Sequence, residues 1–513
     1  MKNPQSLNKR YAAKLSTNLV GLVIGLITTA IIPRGLGPKV YGDFSFLTNF
    51  FSQLIPFFTF NTSIGFYTKL SQRQEEFGLI KFFGRISLFA FVFLFLFILL
   101  TQLVDFSNYL WPEQELKFLF MAAFFTVLTS LADTLAQISD ARGITISTEI
   151  AKIIQKSVGL LLILALYITK QLNLINFFYY NYIILLILIT TFVVIINRSG
   201  FSLFQNWHLG IDQVKKYFRE FYIYSRPLFV YGLVGVFVGL FDRWLLQKYG
   251  GSVQQGFFGL ALKVGVLCFI FTGAMTSLIT REFSIAYNRK DLQEMSRLFR
   301  RYIPLIYSIA AFISCFIAIN AKEITFIVGG SQFSNAVLPM TIMAFYPIHQ
   351  TYGQLSGSVF YASGQTKLYS NIGFILKILG LPLVYFAVAP SAFFGLNAGA
   401  TGLAVVYVVL QFIGVNVQLF FNSKFLKLNF LKYFAHQLIC VGVFVILAFS
   451  TKLFIDELNI VSSNGIITFF LSGILYSFLA ITFIFIFPEI VGLQRVDIKK
   501  GLVYTKSFIK NKL

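Results

Sequence analysis

The sequence contains few charged residues for its length. Of its 513 residues, 12% are charged and 57% are hydrophobic, whereas a soluble domain is about 25% charged. Because so little charge cannot cover the surface of a soluble protein of this size, lipid must surround much of the chain. Cysteine is also scarce: Cys268, Cys315 and Cys440 lie far apart inside apolar runs. Their spacing excludes a disulfide framework and a zinc site, and the sequence predicts no metal and no cofactor.

Sequence motifs for chemistry are missing as well. The chain has no Walker motif, no His-Glu-x-x-His, no Ser-His-Asp order and no paired carboxylates in an accessible loop. This argues against an ATP-driven pump and against an enzyme. The net charge of +22 would suggest a nucleic-acid partner in a soluble protein. Here the basic residues lie in short segments between apolar runs, so they report membrane topology and predict no nucleic acid.

Long apolar runs predict an all-α integral membrane protein with about fourteen transmembrane helices. The runs lie near 15–33, 44–67, 86–104, 118–139, 149–169, 177–197, 227–248, 257–280, 302–320, 335–358, 369–389, 400–421, 434–454 and 465–488. Alternate connecting segments, such as 198–226 and 281–301, are rich in Lys and Arg, whereas the loop 390–399 has neither. Since cytoplasmic loops carry the excess of positive charge, both termini are expected in the cytoplasm.

Two pairs of segments indicate an internal repeat. In the first pair, two glycines and a phenylalanine recur 214 positions later: Gly37, Gly42 and Phe44 match Gly251, Gly256 and Phe258. In the second pair the offset is 221: Ala141, Gly143, Thr145, Lys156, Gly159 and Leu160 match Ala362, Gly364, Thr366, Lys377, Gly380 and Leu381. Both pairs relate one span to the span six places later. Two lobes of the same orientation are therefore expected around a central cavity.

The repeat and the charge pattern together predict the domain organisation. The predicted parts are an N-terminal six-helix lobe at 1–200, an amphipathic cytoplasmic linker at 201–226, a C-terminal six-helix lobe at 227–425, two additional transmembrane helices at 426–490 and a basic cytoplasmic tail at 491–513. Within the linker, residues 211–224 have the pattern of an interfacial helix with a basic face.

The repeated segments resemble those of a known transporter family. The segment PRGLGPKVYGDFSF (33–46) is similar to the family's first loop, 225–267 to its seventh and eighth spans, and 357–383 to its tenth and eleventh. The chain thus resembles the O-antigen or Wzx-type flippases of the multidrug/oligosaccharidyl-lipid/polysaccharide (MOP) exporter superfamily. The resemblance implies a flippase that moves undecaprenyl-diphosphate-linked oligosaccharide repeat units across the bacterial inner membrane by alternating access. The product would be O-antigen (lipopolysaccharide), capsule or exopolysaccharide.

The resemblance also implies partners and leaves two alternatives open. Membrane lipids, a coupling H+ or Na+ gradient, a polysaccharide polymerase and a chain-length regulator are the implied partners. One alternative is a cation-coupled multidrug extruder of the same superfamily, which would favour carboxylates in the first lobe. The other is a membrane glycan polymerase or glycosyltransferase, which would need a longer outer loop than any in this sequence.

Charged residues inside the predicted spans are the candidate substrate contacts. A charge within a span costs several kcal/mol unless it faces the bundle interior, and an anionic diphosphate favours a cationic cavity. Arg243 is the leading candidate, because its guanidinium can bind a diphosphate bidentately; pairing with Asp242 or snorkelling to the interface is the alternative. The predicted substrate-binding residues are Arg243, Lys263, Lys377, Lys156, Arg34 and Asn18. Those predicted for ion coupling or charge pairing are Asp242 and Asp133.

Overall fold

The computed structural model describes residues 7–60, 62–73, 76–200, 209–266, 269–457, 465–493 and 495. Every regular element within these ranges is a helix, and ten of the helices are long and apolar enough to cross a bilayer. The structure therefore confirms the all-α membrane class. The chain forms two compact units, the first comprising Met1–Gly256 with Val388–Pro390 and the second Phe257–Ala387 with Ser391–Leu513. The first unit thus includes the segment 227–256, which the repeat had assigned to the second lobe.

The first unit is built from the N-terminal helices and most of one long kinked helix. Its helices are α1 (Leu7–Phe58), α2 (Thr62–Gln72), α3 (Phe77–Leu103), α4 (Ser107–Leu110), α5 (Leu116–Ala141), α6 (Thr145–Ile168), α7 (Leu174–Arg198) and α8 (Ile211–Val266), whose last residues belong to the second unit. An aromatic core fills the centre of this unit, where the buried Trp111 stacks on Phe51 at a centroid distance of 5.8 Å.

The second unit contains nine further helices within the described ranges. They are α9 (Phe269–Asn288), α10 (Leu292–Ile319), α11 (Ala321–Gly329), α12 (Val337–Met343), α13 (Tyr346–Ala362), α14 (Thr366–Val388), α15 (Gly399–Leu426), α16 (Phe430–Glu457) and α17 (Gly465–Ile486). The C-terminal helices α16 and α17 both pack against α10. The Cys440 thiol lies 3.3 Å from the Ser308 hydroxyl, and the Tyr476 hydroxyl donates to the Phe312 carbonyl at 2.8 Å. These two helices are therefore an integral part of the second unit.

Two predicted spans are interrupted in the structure. The run 44–67 breaks after Phe58, because Phe60 has a φ of 51° and a new helix begins at Thr62. The run 335–358 is divided between α12 and α13, and Pro347 stands in the first turn of α13. A proline is tolerated there because its missing N–H would have had no partner within the helix.

The glycines of the sequence repeat adopt matching backbone conformations. Gly37 bends α1 with φ 72° and ψ 168°, and Gly251 bends α8 with φ 69° and ψ −176°. Both lie in a region that disfavours any residue with a side chain. The first repeat pair is thus also a pair of equivalent kinks.

The second repeat pair forms two equivalent helix ends. Gly143 follows α5 with φ 79°, and Gly364 follows α13 with φ 72°. After α5, the Gly143 N–H donates to the Asp140 carbonyl, and the N–H of the residue after the glycine donates to the Ser139 carbonyl. After α13, the Gly364 N–H donates to the Tyr361 carbonyl, and the N–H of the next residue donates to the Phe360 carbonyl. This is the Schellman arrangement, in which a left-handed glycine lets the chain cap the last free carbonyls. The repeat therefore recurs at the level of individual backbone hydrogen bonds.

Helices α1 and α8 cross within the first unit at backbone contact distance. A Cβ added to Gly42 would lie 1.7 Å from the Ser252 carbonyl oxygen, and a Cβ added to Gly256 would lie 2.1 Å from the Pro38 carbonyl oxygen. Pro38 and Ser252 are themselves 214 positions apart, so the two contacts are one contact made reciprocally. We call Pro38, Gly42, Ser252 and Gly256 the glycine crossing. No side chain fits at either glycine.

Replacing Gly42 with alanine should separate the two helices and lower the thermal unfolding midpoint of the purified protein by several degrees. The reason is that the new methyl group meets a backbone carbonyl, which cannot rotate away as a side chain could. Gly442→Ala on α16 is the matched control, since nothing lies within 4 Å of the added Cβ there. Unfolding followed by size-exclusion fluorescence in detergent measures both variants. Equal midpoints for the two variants would contradict the crossing.

Candidate functional site

A polar cluster stands beside the glycine crossing. The Asp43 carboxylate accepts hydrogen bonds from the Gln114 amide at 2.7 Å and from the Ser252 hydroxyl. The Gln247 amide donates to the same hydroxyl at 3.0 Å and to the Pro112 carbonyl at 3.1 Å. These bonds join α1, α8 and the segment between α4 and α5 at one place in the first unit.

Arg243 lies inside this unit, one helical turn before Gln247. Its side chain is 4% exposed, and its guanidinium donates to the Gln255 side-chain oxygen at 3.0 Å. The Gln255 amide donates in return to the Arg243 carbonyl at 2.5 Å. Asp242 is also buried in the first unit. Arg243 therefore has a protein partner, Gln255, beyond the Gly251 kink. Its contact with a diphosphate stays a prediction, and that contact would require Arg243 and Gln255 to separate.

Lys156 reaches across the first unit towards α1. Its amine would lie 2.2 Å from a Cβ added to Gly21, so it occupies the space left by the missing side chain. Within the described part of the chain, no hydrogen bond or ion pair engages this amine. The neighbouring Lys152 is instead held by Glu149 at 2.7 Å. Asn18 lies on α1 one turn before Gly21, and its side chain is outside the described residues.

The other predicted cations are divided between the two units. Arg34 is partly buried in the first unit, three residues before the Gly37 kink. In the second unit, Lys377 is partly buried on α14. Lys263 is exposed on α8, and among the described residues it forms no ion pair. A Cβ added to the nearby Gly265 would lie 3.3 Å from the Met343 carbonyl oxygen, so this side of α8 is packed against α12. Lys263 lies on a different side of the helix.

A polar cavity of about 260 Å³ opens inside the first unit. Its walls come from the ends of α1 and α2, from α3 and from one face of α5. The lining residues are Ser52, Ile55, Pro56, Thr59, Ser63, Phe83, Ser87, Phe125, Thr126, Thr129, Ser130, Asp133, Thr134 and Gln137. The predicted coupling residue Asp133 is thus the charged residue of this cavity.

The threonine hydroxyls that line the cavity are already engaged as donors. The hydroxyls of Thr59, Thr126, Thr129 and Thr134 donate to carbonyls of their own helices at 2.8 to 2.9 Å. Each oxygen keeps a lone pair that can face the cavity. In the described residues the Asp133 carboxylate has no ion pair. Threonine oxygens beside a carboxylate suit a cation or a proton, because oxygen lone pairs and carboxylates are the ligands that hard cations take.

The hydroxyl residues are functional candidates that the sequence analysis did not name. Along α5 they recur every three or four positions with Asp133 and Gln137, as Thr126, Thr129, Ser130 and Thr134. Polar residues that recur with helical spacing inside an apolar span indicate a helix face that lines a cavity, so these residues could have been predicted from the sequence.

Comparison with known proteins identifies the fold. No family model matches the sequence, and no curated protein is similar to it. A solved structure of the lipid II flippase MurJ in an inward closed conformation has a TM-score of 0.62 at 15% identity, covering 93% of this chain and 98% of that one. An inward-facing multidrug resistance MATE family transporter of the MOP superfamily has a TM-score of 0.58 at 13% identity, covering 80% and 94%. The chain therefore has the fold of the MOP-superfamily transporters, and its structural neighbours are transporters and flippases.

The burial of the cations predicts a difference in chemical accessibility. In a variant whose Cys268, Cys315 and Cys440 are replaced by alanine, Lys170→Cys, in the exposed loop after α6, should react rapidly with a charged, water-soluble thiol reagent. Arg243→Cys should react much more slowly, because its position is enclosed beside Gln255. Labelling rates in detergent-solubilised protein measure the difference. Comparable rates at the two positions would show that the enclosure of Arg243 is wrong.

Proposed function

We propose that the chain is a flippase that translocates undecaprenyl-diphosphate-linked oligosaccharide repeat units across the bacterial inner membrane. Transport would proceed by alternating access, with the lipid tail remaining in the bilayer, and would supply O-antigen, capsule or exopolysaccharide synthesis. Nothing is chemically altered in this process, so the protein is not an enzyme. Both termini would face the cytoplasm, and a polysaccharide polymerase and a chain-length regulator would be its partners.

The observation that carries the proposal is the extent of the structural match. The flippase structure covers 93% of this chain, whereas the MATE structure covers 80%. The larger coverage and the higher TM-score of the flippase structure favour the lipid-linked substrate over the multidrug alternative. The short outer loops continue to argue against a glycan polymerase or glycosyltransferase.

The charges within the spans support an anionic substrate. Lys156, Lys263 and Lys377 occupy α6, α8 and α14, and two of them are equivalent positions of the repeat. A cation within a membrane span is costly unless it faces a polar interior, so each is expected to line a path along which an anion passes. A diphosphate can satisfy several of them in turn.

The glycine crossing would serve as the outer closure in the proposed cycle. It lies at the predicted outer ends of the spans that α1 and α8 contain. Opening to the outside would part Gly42 from Ser252 and would free the groups around Asp43 and Gln247. Arg243 would then be able to exchange Gln255 for a phosphate oxygen, which reconciles its present burial with the predicted role.

Lys263→Gln and Lys156→Gln should each reduce delivery of surface polysaccharide at least several-fold in cells that lack the native gene, with membrane protein levels unchanged. The substitution keeps most of the length of the side chain and removes the charge that the diphosphate would meet. Lys170→Gln is the control, because this exposed lysine lies in a loop after α6. Surface polysaccharide on gels and accumulated lipid-linked precursor measure the effect. Full delivery by both variants would exclude these lysines from the substrate path.

A second function, cation coupling, is favoured by the cavity around Asp133. We propose that H+ or Na+ binds there and drives transport. The same feature would serve a cation-coupled multidrug extruder, so the cavity alone does not choose between the two substrates. Asp242 remains the other candidate for ion coupling or charge pairing.

Asp133→Asn should abolish a cation-dependent rise in thermal stability of the purified protein. At constant ionic strength, Na+ or a lower pH is expected to raise the unfolding midpoint of the unchanged protein relative to choline at neutral pH. The rise disappears in Asp133→Asn because the neutral amide cannot balance a cation or take up a proton. Asp456→Asn, on an exposed turn of α16, is the control and keeps the response. An identical response in Asp133→Asn would place the cation elsewhere.

A further inference from the structure

The first part of α8 is an amphipathic helix docked on the first unit. Tyr217 and Phe221 are buried there, and the rings of Phe82 and Phe221 lie 5.3 Å apart. Val214 is partly buried against the same cluster. These three positions share one side of the helix, so residues 211–223 are fixed to the unit along a single face.

Polar contacts fix the rotation of this helix. Arg73 donates to Glu220 at 2.5 Å and pairs with Glu76 at 2.9 Å, and the Tyr217 hydroxyl donates to Glu76 at 2.7 Å. The Arg73 hydrogen bond lowers the pKa of the Glu220 carboxyl, so this contact persists throughout the neutral range. A Cβ on Gly78 would lie 2.2 Å from the Tyr217 hydroxyl, so the end of this side chain occupies the space above Gly78 on α3. The outward face therefore has a defined direction.

That outward face carries a continuous apolar stripe. Ile211, Phe218 and Tyr222 are 74%, 63% and 56% exposed, and the last two rings are nearly parallel with centroids 6.3 Å apart. With 3.6 residues per turn, the three positions fall within about 40° of one another around the helix. Large exposed side chains grouped in this way mark an interaction surface.

Basic side chains border the stripe on the side away from the docked face. Going round the helix, Lys215 and Arg219 come next to the stripe, and Lys216 follows after Asp212 and Ile223, all of them exposed. Arg219 is three residues from Tyr222, so a cation stands beside the aromatic rings along the helix. The order of docked face, apolar stripe and basic border is what a helix needs to lie at a bilayer surface, with its stripe among the acyl chains and its cations among headgroups.

We infer that the helix 211–223 is a docking surface for the anionic phospholipid headgroups of the cytoplasmic leaflet. The occupant is lipid because the helix runs directly into the predicted span at 227, which places it at the membrane boundary, and because the basic border complements the negative surface of that leaflet. The inference does not depend on the transported substrate. It adds a lipid-recognition role to a segment that also connects the two halves of the repeat.

The test places a tryptophan on the stripe and asks which lipid surrounds it. Phe218→Trp in the full-length protein is reconstituted in bilayers of phosphatidylcholine and phosphatidylglycerol, with bromine as a quencher on the chains of one lipid at a time. The signal of the unchanged protein, which contains Trp111, Trp207 and Trp244, is subtracted. Phe221→Trp, on the docked face, is the matched control and should show little quenching.

The indole introduced by Phe218→Trp should be quenched strongly, and more by brominated phosphatidylglycerol than by brominated phosphatidylcholine at equal mole fractions. Adding Lys215→Gln and Arg219→Gln should reduce the local preference for phosphatidylglycerol by about five-fold for each charge removed, and high salt should reduce it as well. Lys170→Gln in the Phe218→Trp background should leave the preference unchanged. Tyr222→Trp repeats the measurement from the other end of the stripe should the first variant fail to fold.

Two outcomes overturn the inference. Absence of quenching by either lipid at both positions would show that the stripe faces water or protein. Equal quenching by the two lipids, unaffected by the loss of Lys215 and Arg219, would show contact with the bilayer without recognition of anionic headgroups.

Discussion

The approach of α1 to α8 at the glycine crossing is the contact on which the first unit depends. In hydrocarbon, backbone groups must be satisfied within helices, so a membrane protein can bend its chain only where another group or a glycine accommodates the bend. Gly37 and Gly251 supply the bends, and Gly42 and Gly256 allow the bent helices to touch. The contact brings Asp43 to Ser252, and the second bend turns Gln255 back onto Arg243. A side chain at either crossing position would undo the polar cluster as well as the helix packing.

The same rule of polar satisfaction explains the two kinds of charged site in the first unit. Threonines facing the cavity donate to their own helices, which leaves acceptors exposed around Asp133. On α6, Glu149 forms an ion pair with Lys152. Lys156, whose amine lies beside Gly21, is not part of that ion pair. The unit thus contains one carboxylate, Asp133, and one amine, Lys156, that do not form an ion pair with each other. Uncompensated charges within a membrane are expected where a mobile ligand supplies the missing partner.

The features that could be read from the sequence are those that a few residue types enforce. The repeat was predicted because its glycines recur at constant offsets, and four of them, Gly37, Gly251, Gly143 and Gly364, have the positive φ that glycine adopts readily. That Gly37 and Gly251 bend continuous helices was not predicted. The enclosure of Arg243 was not readable, because its partner Gln255 lies twelve residues away beyond a bend whose direction no local pattern gives. On the linker, Tyr217 and Phe218 are both aromatic, yet one is buried and the other is 63% exposed. The choice between them is made by Arg73, Glu76 and Gly78, which come from a different part of the chain.

A cation site and an anion path in one unit could be coupled under the proposed function. The proposed substrate moves outward, whereas the H+ and Na+ gradients of a bacterial cell run inward, so a gradient drives transport only if the cation and the diphosphate exchange for one another. Exchange requires that a cation at Asp133 and a diphosphate near Lys156 favour different states of the unit. Because coupling between two binding sites is reciprocal, each ligand must then weaken the binding of the other by the same factor. A carboxylate permanently paired with Lys152 could not take up a cation in this way, and the ion pair between Lys152 and Glu149 keeps that lysine engaged elsewhere.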